Sequence, residues 1–558
     1  MNFRLDHKMV RTERPIGTAS QQTIFEGSFE LPPSLPDVAR IVRVEARPAV
    51  TDWDVMENQL AVQGTVDLVL LYAHDEEVPA ASRDIEAESG LAEDDDADLA
   101  PPPAEVREAL YRHCWSRAGT FETVLDLEGL EPAAAVDVSA HPERVDVELH
   151  QSGRRIEVEA VVDVTARATL QRTAVAPVKA GPLPAEAAEE EAPVPVKHVA
   201  GRGSVRLAVE GVLAPAEDAA VARIADVAAV ARITRAEASA GQVTVQGTID
   251  YRVLYLTASG ELVTAAFDAQ TPYSYTFDIP EAREGMTVEV EARARSVDGA
   301  PAGDGREIQA YVDLSIAVEV SKVETLALLT AIRGSEGLEV DYRTAPVELD
   351  QWIGSARRHV SAAGTLELPE GHPPIERALS AFGRARVDDV LVLDDKVVVE
   401  GHVDVEALYA ARTEGHPVHA ATWSQAVPFE AEVALPGAEP GVDAVADVNV
   451  EGVELDLLNR ETVEAAVHLA VTVWAVRPAA WEAVVEAVAV PPPDPDPPTW
   501  TFVVIQEGDT VWKLSRRYHA DPEQIVGANP WIADSEAPLV VGRKLCIPRR
   551  RPAEAISP

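Results

Sequence analysis

Three histidines, His402, His416 and His419, lie close together in the chain, as metal ligands or the partners in a proton transfer would. Their spacing, H-x13-H-x2-H, is not one that zinc sites use, and neither cysteine, Cys114 or Cys546, is near enough in sequence to complete one. Asp and Glu number 94, so some pair of carboxylates will be close in space whatever the protein does. The chain contains no G-x-S-x-G elbow, no phosphate-binding P-loop and no dinucleotide fingerprint. On this reading it is not an enzyme, and neither a catalytic residue nor a metal or cofactor is expected.

A binding module is better marked. TFVVIQEGD, starting at Thr501, makes a strand ending in a Gly-Asp turn, and Thr510 caps a helix from Val511 to about Tyr518. Asp521 followed by Pro522 opens a second helix to about Ala528, Asn529-Pro530 stops it, and LVVGRKLCIP closes the tail as a strand in which Cys546 is packed. This order, with GDT, ANP and VGRKLCIP at those points, resembles the LysM domain over the whole tail. The resemblance implies a sugar groove with Gly508, Asp509, Thr510 and Val511 on one side and Asn529, Pro530, Trp531 and Ile532 on the other. Trp531 would offer a flat apolar surface to a sugar ring or to a partner's side chain. From Trp500 to Pro552 eight basic residues stand against six acidic ones, so the tail is mildly basic on a chain of net charge −46.

The elements before the tail repeat. VQGTVDLVLLY (62–72), VQGTIDYRVLY (245–255) and VEGHVDVEALY (399–409) share one pattern. An echo lies upstream of each (FEGSFELPPSLPDVARI, VEGVLAPAEDAAVARI, AAGTLELPEGHPPIERAL) and a long alternating segment follows each, giving a unit of about 130 to 150 residues, the size of a domain. Strand alternation puts Val62, Gly64, Val66, Leu68, Leu70 and Tyr72 on one face, and Gln63, Thr65, Asp67 and Val69 on the other. One apolar and one polar face fit an antiparallel sheet. A glycine on the apolar face implies a bulge or a close crossing. Asp67, Asp250 and Asp404 read as solvated or turn-capping carboxylates, and His402, in the place of Thr65 and Thr248, as an exposed strand residue.

The expected fold class is therefore mainly β: three tandem antiparallel repeat domains at 1–170, 197–325 and 340–478, and a small βααβ module at 500–549. An acidic loop at 83–104 interrupts the first repeat. Two linkers, 171–196, rich in Pro, Ala and Glu, and 490–499, containing PPPDPDPP, should be extended. Repeats with these centres and echoes, followed by a LysM, resemble the SPOCS-domain proteins of spore-forming bacteria, in particular the SipL type of spore coat morphogenetic protein. The second copy departs most, since EGVLAPAED lacks the Leu-Pro pair. The resemblance implies a scaffold made in the mother cell, joining a coat morphogenetic ATPase or another coat protein to the forespore surface. N-acetylglucosamine-containing peptidoglycan would be a further ligand of the tail. The alternative is a phage-tail or injection-machine component.

Charges at Arg4, Asp6, Lys8, Arg11 and Glu13 leave the N-terminus without an apolar signal stretch, and no run approaches the roughly 18 residues of a membrane span. A cytoplasmic protein without membrane insertion is expected. The net charge argues against nucleic acid as a partner. Two cysteines in unlike segments exclude a disulfide framework.

Overall fold

A computed structural model describes residues 3–78, 105–150, 153–181, 187–215, 220–334, 339–413, 417–495 and 498–548. The acidic loop at 83–104 and His416 lie outside them. One six-stranded plan occurs three times. The first copy runs β1 (Arg4–Glu30), β2 (Arg40–Met56), β3 (Gln59–Val78), β4 (Glu105–Asp126), β5 (Ala135–His150) and β6 (Arg155–Gly181). The second runs β7 (Ala188–Leu213), β8 (Val221–Ser239), β9 (Gln242–Thr257), β10 (Leu262–Asp278), β11 (Thr287–Ala302) and β12 (Glu307–Arg333). In the third the first and last strands are broken: β13 (Glu339–Glu348) and β14 (Gln351–Glu367), then β15 (Ile375–Leu393), β16 (Lys396–Ala411), β17 (Val418–Ala434) and β18 (Asp443–Leu457), then β19 (Thr462–Arg477) and β20 (Ala480–Val490).

Each copy folds into two three-stranded antiparallel sheets. One has the order first, last, fifth (β1-β6-β5, β7-β12-β11, β14-β19-β18), and the other has the motif strand β3, β9 or β16 at its centre. The two sheets enclose an apolar core belonging to that copy. Val62, Val66, Leu68, Leu70 and Tyr72 are buried in the first core, as alternation predicts, and their counterparts Val245, Ile249, Tyr251, Val253 and Tyr255 in the second.

The motif glycine has two reasons to be glycine. Gly64, Gly247 and Gly401 each stand opposite a bulge in the preceding strand, and the ring of Phe121, Tyr273 or Phe429 from the following strand fills the space of a Cβ. The motif aspartate caps a turn of the backbone. Asp67, Asp250 and Asp404 accept the backbone N–H of Arg117 (2.6 Å), Ala269 (2.7 Å) and Gln425 (2.7 Å). All three of those residues are left-handed, with φ of 50°, 52° and 50°. The tyrosine ending the motif ties in the upstream echo: Tyr72 donates to the Pro36 carbonyl (3.0 Å) and Tyr409 to that of Pro373 (3.1 Å).

Two readings of the sequence are corrected. Most of the first linker is strand, since 171–181 belong to β6 and 188–196 to β7. The outer halves of β1 and β6, the outer halves of β7 and β12, and the pair β13 and β20 form three two-stranded arms. Small and branched side chains of the arms, among them Val10, Ala176, Val194, Val196, Leu328 and Ala483, pack together between the copies. The face opposite the core is also not polar throughout. Leu71, Leu254 and Leu408 occupy one motif position on it, and all three are buried in a single cluster where the copies meet.

The tail has β21 (Trp500–Val504), α1 (Val511–Arg517), α2 (Pro522–Ala528) and β22 (Lys544–Pro548), with β21 paired to β22. Among the described residues no helix is long and apolar enough to cross a membrane.

Candidate functional site

The caps of the tail form as its sequence requires. The Thr510 hydroxyl accepts the Lys513 N–H (3.2 Å), and Asp521 accepts that of Glu523 (2.9 Å) with Pro522 in the first turn. Ile505, Val511, Leu514, Ile525, Ile532, Leu545 and Ile547 make the small core between the helices and the two strands.

The two loops assigned to the groove differ from a simple open surface. In the first, Gly508 is exposed with φ of 79°, and its carbonyl accepts from Lys513 Nζ at 3.0 Å. Burial holds the Lys513 ammonium below its usual pKa. Asp509 is buried and accepts the Gln506 N–H (2.8 Å), closing the turn. Thr510 is half-buried as the cap, and Val511 lies wholly in the core.

In the second loop Asn529 is buried and fully used. Its amide donates to the carbonyls of Ile525 and Cys546 (both 2.7 Å), and its oxygen accepts the Cys546 N–H (2.9 Å), so it staples α2 to β22. Ile532 is core, Pro530 is exposed, and Trp531 is half-buried with the Arg543 guanidinium 4.0 Å from its ring centre. Of the eight residues, Gly508, Thr510, Pro530 and Trp531 reach the surface, while Asp509, Val511, Asn529 and Ile532 hold the loops in shape.

Sequence reasoning missed the neighbours of these loops. Trp512, the second residue of α1, has the guanidinium groups of Arg516 and of Arg343, from β13, each 5.9 Å from its ring centre. Arg343 also reaches Glu536 of the second loop (3.1 Å) and Glu486 of β20 (3.4 Å). Arg516 pairs with Asp341 (3.1 Å), and His519 contacts the Pro491 carbonyl (2.8 Å). The tail is thus docked on the third arm, a contact that no local pattern announces.

Of His402, His416 and His419, the two that lie among the described residues are not brought together. His402 is half-buried and contacts Asp388 at 2.9 Å. His419 stacks on Tyr409, seven residues along β16 from His402, or about 24 Å at strand rise. Burial, with Arg40 nearby, lowers the His419 pKa to about 4. Cys114 and Cys546 are both free thiols.

The chain is thus a tandem array of three two-sheet β-domains ending in a βααβ module. The LysM domain model matches residues 503–548, and the SPOCS domain model of SipL matches 37–150, 220–299 and 374–458, half of the chain. The chain belongs to the SipL SPOCS-domain family and carries a C-terminal LysM domain; neither family is a catalytic one. No curated protein and no solved structure matches it. The matched segments start just before the second strand of each copy and end within its fifth or one residue past it, so they leave out the first and last strands that complete each core.

Proposed function

We propose that the protein is a scaffold of endospore coat assembly, made in the mother cell, whose LysM tail binds a coat protein, such as the coat morphogenetic ATPase, with peptidoglycan as a second ligand. The observation that carries this reading is the joining of three SPOCS copies to one LysM domain in a single chain. The state of the groove favours protein over glycan as the main ligand. Half of the assigned residues are interior, and Arg543 stacks on the Trp531 ring, which puts a cation suited to an acidic protein side chain on the groove's flat surface. The test compares the full chain with its Trp531→Ala variant in pull-downs from sporulating-cell lysate and in sedimentation with purified peptidoglycan. Recovery of a coat protein that falls with Trp531→Ala is the expected result. Strong Trp531-dependent sedimentation with no coat protein recovered overturns the reading in favour of a plain wall anchor.

A further inference from the structure

We infer that the third arm gates the LysM groove, so that a ligand in the groove and the arm compete for the tail; this rests on the groove reading above. Strand alternation puts Asp341 and Arg343 on one face of β13, and pairing places Glu486 opposite Arg343. That face meets the tail. One side chain, Arg343, touches both flanks of the groove: Trp512, just after the first loop, and Glu536, in the second. Asp341 holds Arg516 on the same helix as Trp512. A glycan or peptide laid between the loops would have to displace this bridge at one end.

The bridge is built to release. Both ion pairs are partly exposed, with side-chain exposures of 38% and 69% for Arg343 and Glu536, and 53% and 39% for Arg516 and Asp341. Pairs of this kind shift an equilibrium by no more than about fivefold each and are screened by salt. Removing the arm's side of both should tighten groove binding by about tenfold at low salt, with the difference shrinking as salt is added, because coupling between two sites is reciprocal.

The experiment uses the full chain and its Asp341→Ala/Arg343→Ala variant, which leaves the LysM domain unaltered. Affinity for soluble N-acetylglucosamine oligomers is measured by calorimetry, and hydrogen exchange is followed over residues 511–517 and 529–536. The expected result is faster exchange in both segments together with tighter binding by the variant. Unchanged exchange overturns the gate. Equal binding by the two proteins also overturns it and leaves the groove reading standing. Binding by neither, with exchange raised, defeats the groove reading as a glycan site and this proposal with it.

Discussion

Replacing Gly247 by Ala tests whether the motif glycine is required by packing. Its backbone does not have a positive φ, so any penalty is steric. A Cβ at this position would lie 2.2 Å from the Arg232 carbonyl oxygen and 2.3 Å from both the Cζ and the hydroxyl oxygen of Tyr273. The carbonyl belongs to Arg232, which is held in register with Thr248 just before the bulge, and Tyr273 is buried and donates to that same carbonyl at 3.2 Å. Overpacking of this kind costs about 1 to 3 kcal/mol, and loss of the Tyr273 hydrogen bond adds about 1 kcal/mol. A total near 3 kcal/mol is expected for the second copy. Gly452→Ala is the control, since nothing stands within 4 Å of its Cβ position, and it should be neutral or stabilise by up to about 1 kcal/mol. Hydrogen exchange read against urea follows Gly247→Ala over β8 to β10 and Gly452→Ala, in the third copy, over β18 and β19. A Gly247→Ala protein within about 0.5 kcal/mol of the parent would refute the packing argument.

Three further outcomes are expected. Asp250→Ala leaves the left-handed Ala269 N–H without its acceptor and should cost about 1 to 3 kcal/mol, whereas Asp250→Asn keeps an acceptor and should cost under about 1 kcal/mol; equal losses in urea melts would remove the capping role. Burial, with Arg384, Arg293 and Arg386 nearby, pushes the His141 pKa down to about 4. The unfolded chain therefore takes up a proton at about pH 6.5 that the fold refuses, so this contribution to stability is intact above about 6.5 and is lost as pH falls towards 4. His141→Gln should flatten that part of the thermal stability profile, and an unchanged slope would count against the assignment. Arg43→Ala removes the buried guanidinium that lies 2.8 Å from Asp226 and 3.3 Å from Glu406, and should cost about 3 to 5 kcal/mol. Because these partners belong to the second and third copies, exchange should rise in β8 and β16 as well as in β2, and a rise confined to β2 would speak against a shared junction.

What was legible in the sequence was local. Period-two alternation identified Ile249 and Tyr251 as core, the motif glycine announced its bulge, and Thr510 and Asp521 sit one residue before the helices they cap. What was not legible depends on partners far along the chain. The stretch from 171 to 196 has the Pro, Ala and Glu content of a linker. Residues 171–181 and 188–196 are strand because Ala176, Val194 and Val196 bury small side chains in one cluster with Leu328 and Ala483, shared among the three arms. The LysM resemblance puts Asn529 in the groove, but its amide is satisfied by the backbone of Cys546, seventeen residues on. Trp531 reads as an open stacking surface until Arg543, brought across it by the closing strand, is taken into account.

The junction of the three copies explains why they have diverged within one chain. Leu71, Leu254 and Leu408 hold equivalent positions in the motif strands and share one apolar cluster. The residues paired with them on the neighbouring strands are Arg43, Asp226 and Ser380. These are three chemistries at one structural position: a cation, an anion and a small hydroxyl. Three identical copies would bring together three guanidinium groups or three carboxylates at a site where Arg43 and Asp226 retain side-chain exposures of only 9% and 6%. Like charges so far out of water repel strongly, and in three copies of the first kind only the Glu45 of each copy, 3.6 Å from Arg43, would be left to offset them. The Arg43–Asp226 pair, with Glu406 added from the third copy, instead brings to Arg43 a carboxylate from each of the other two copies when the three meet in that arrangement. The apolar leucines supply attraction that any three copies could share, and the charged residues beside them select this set. Covalent linkage then fixes the stoichiometry, one of each, that such a selection requires.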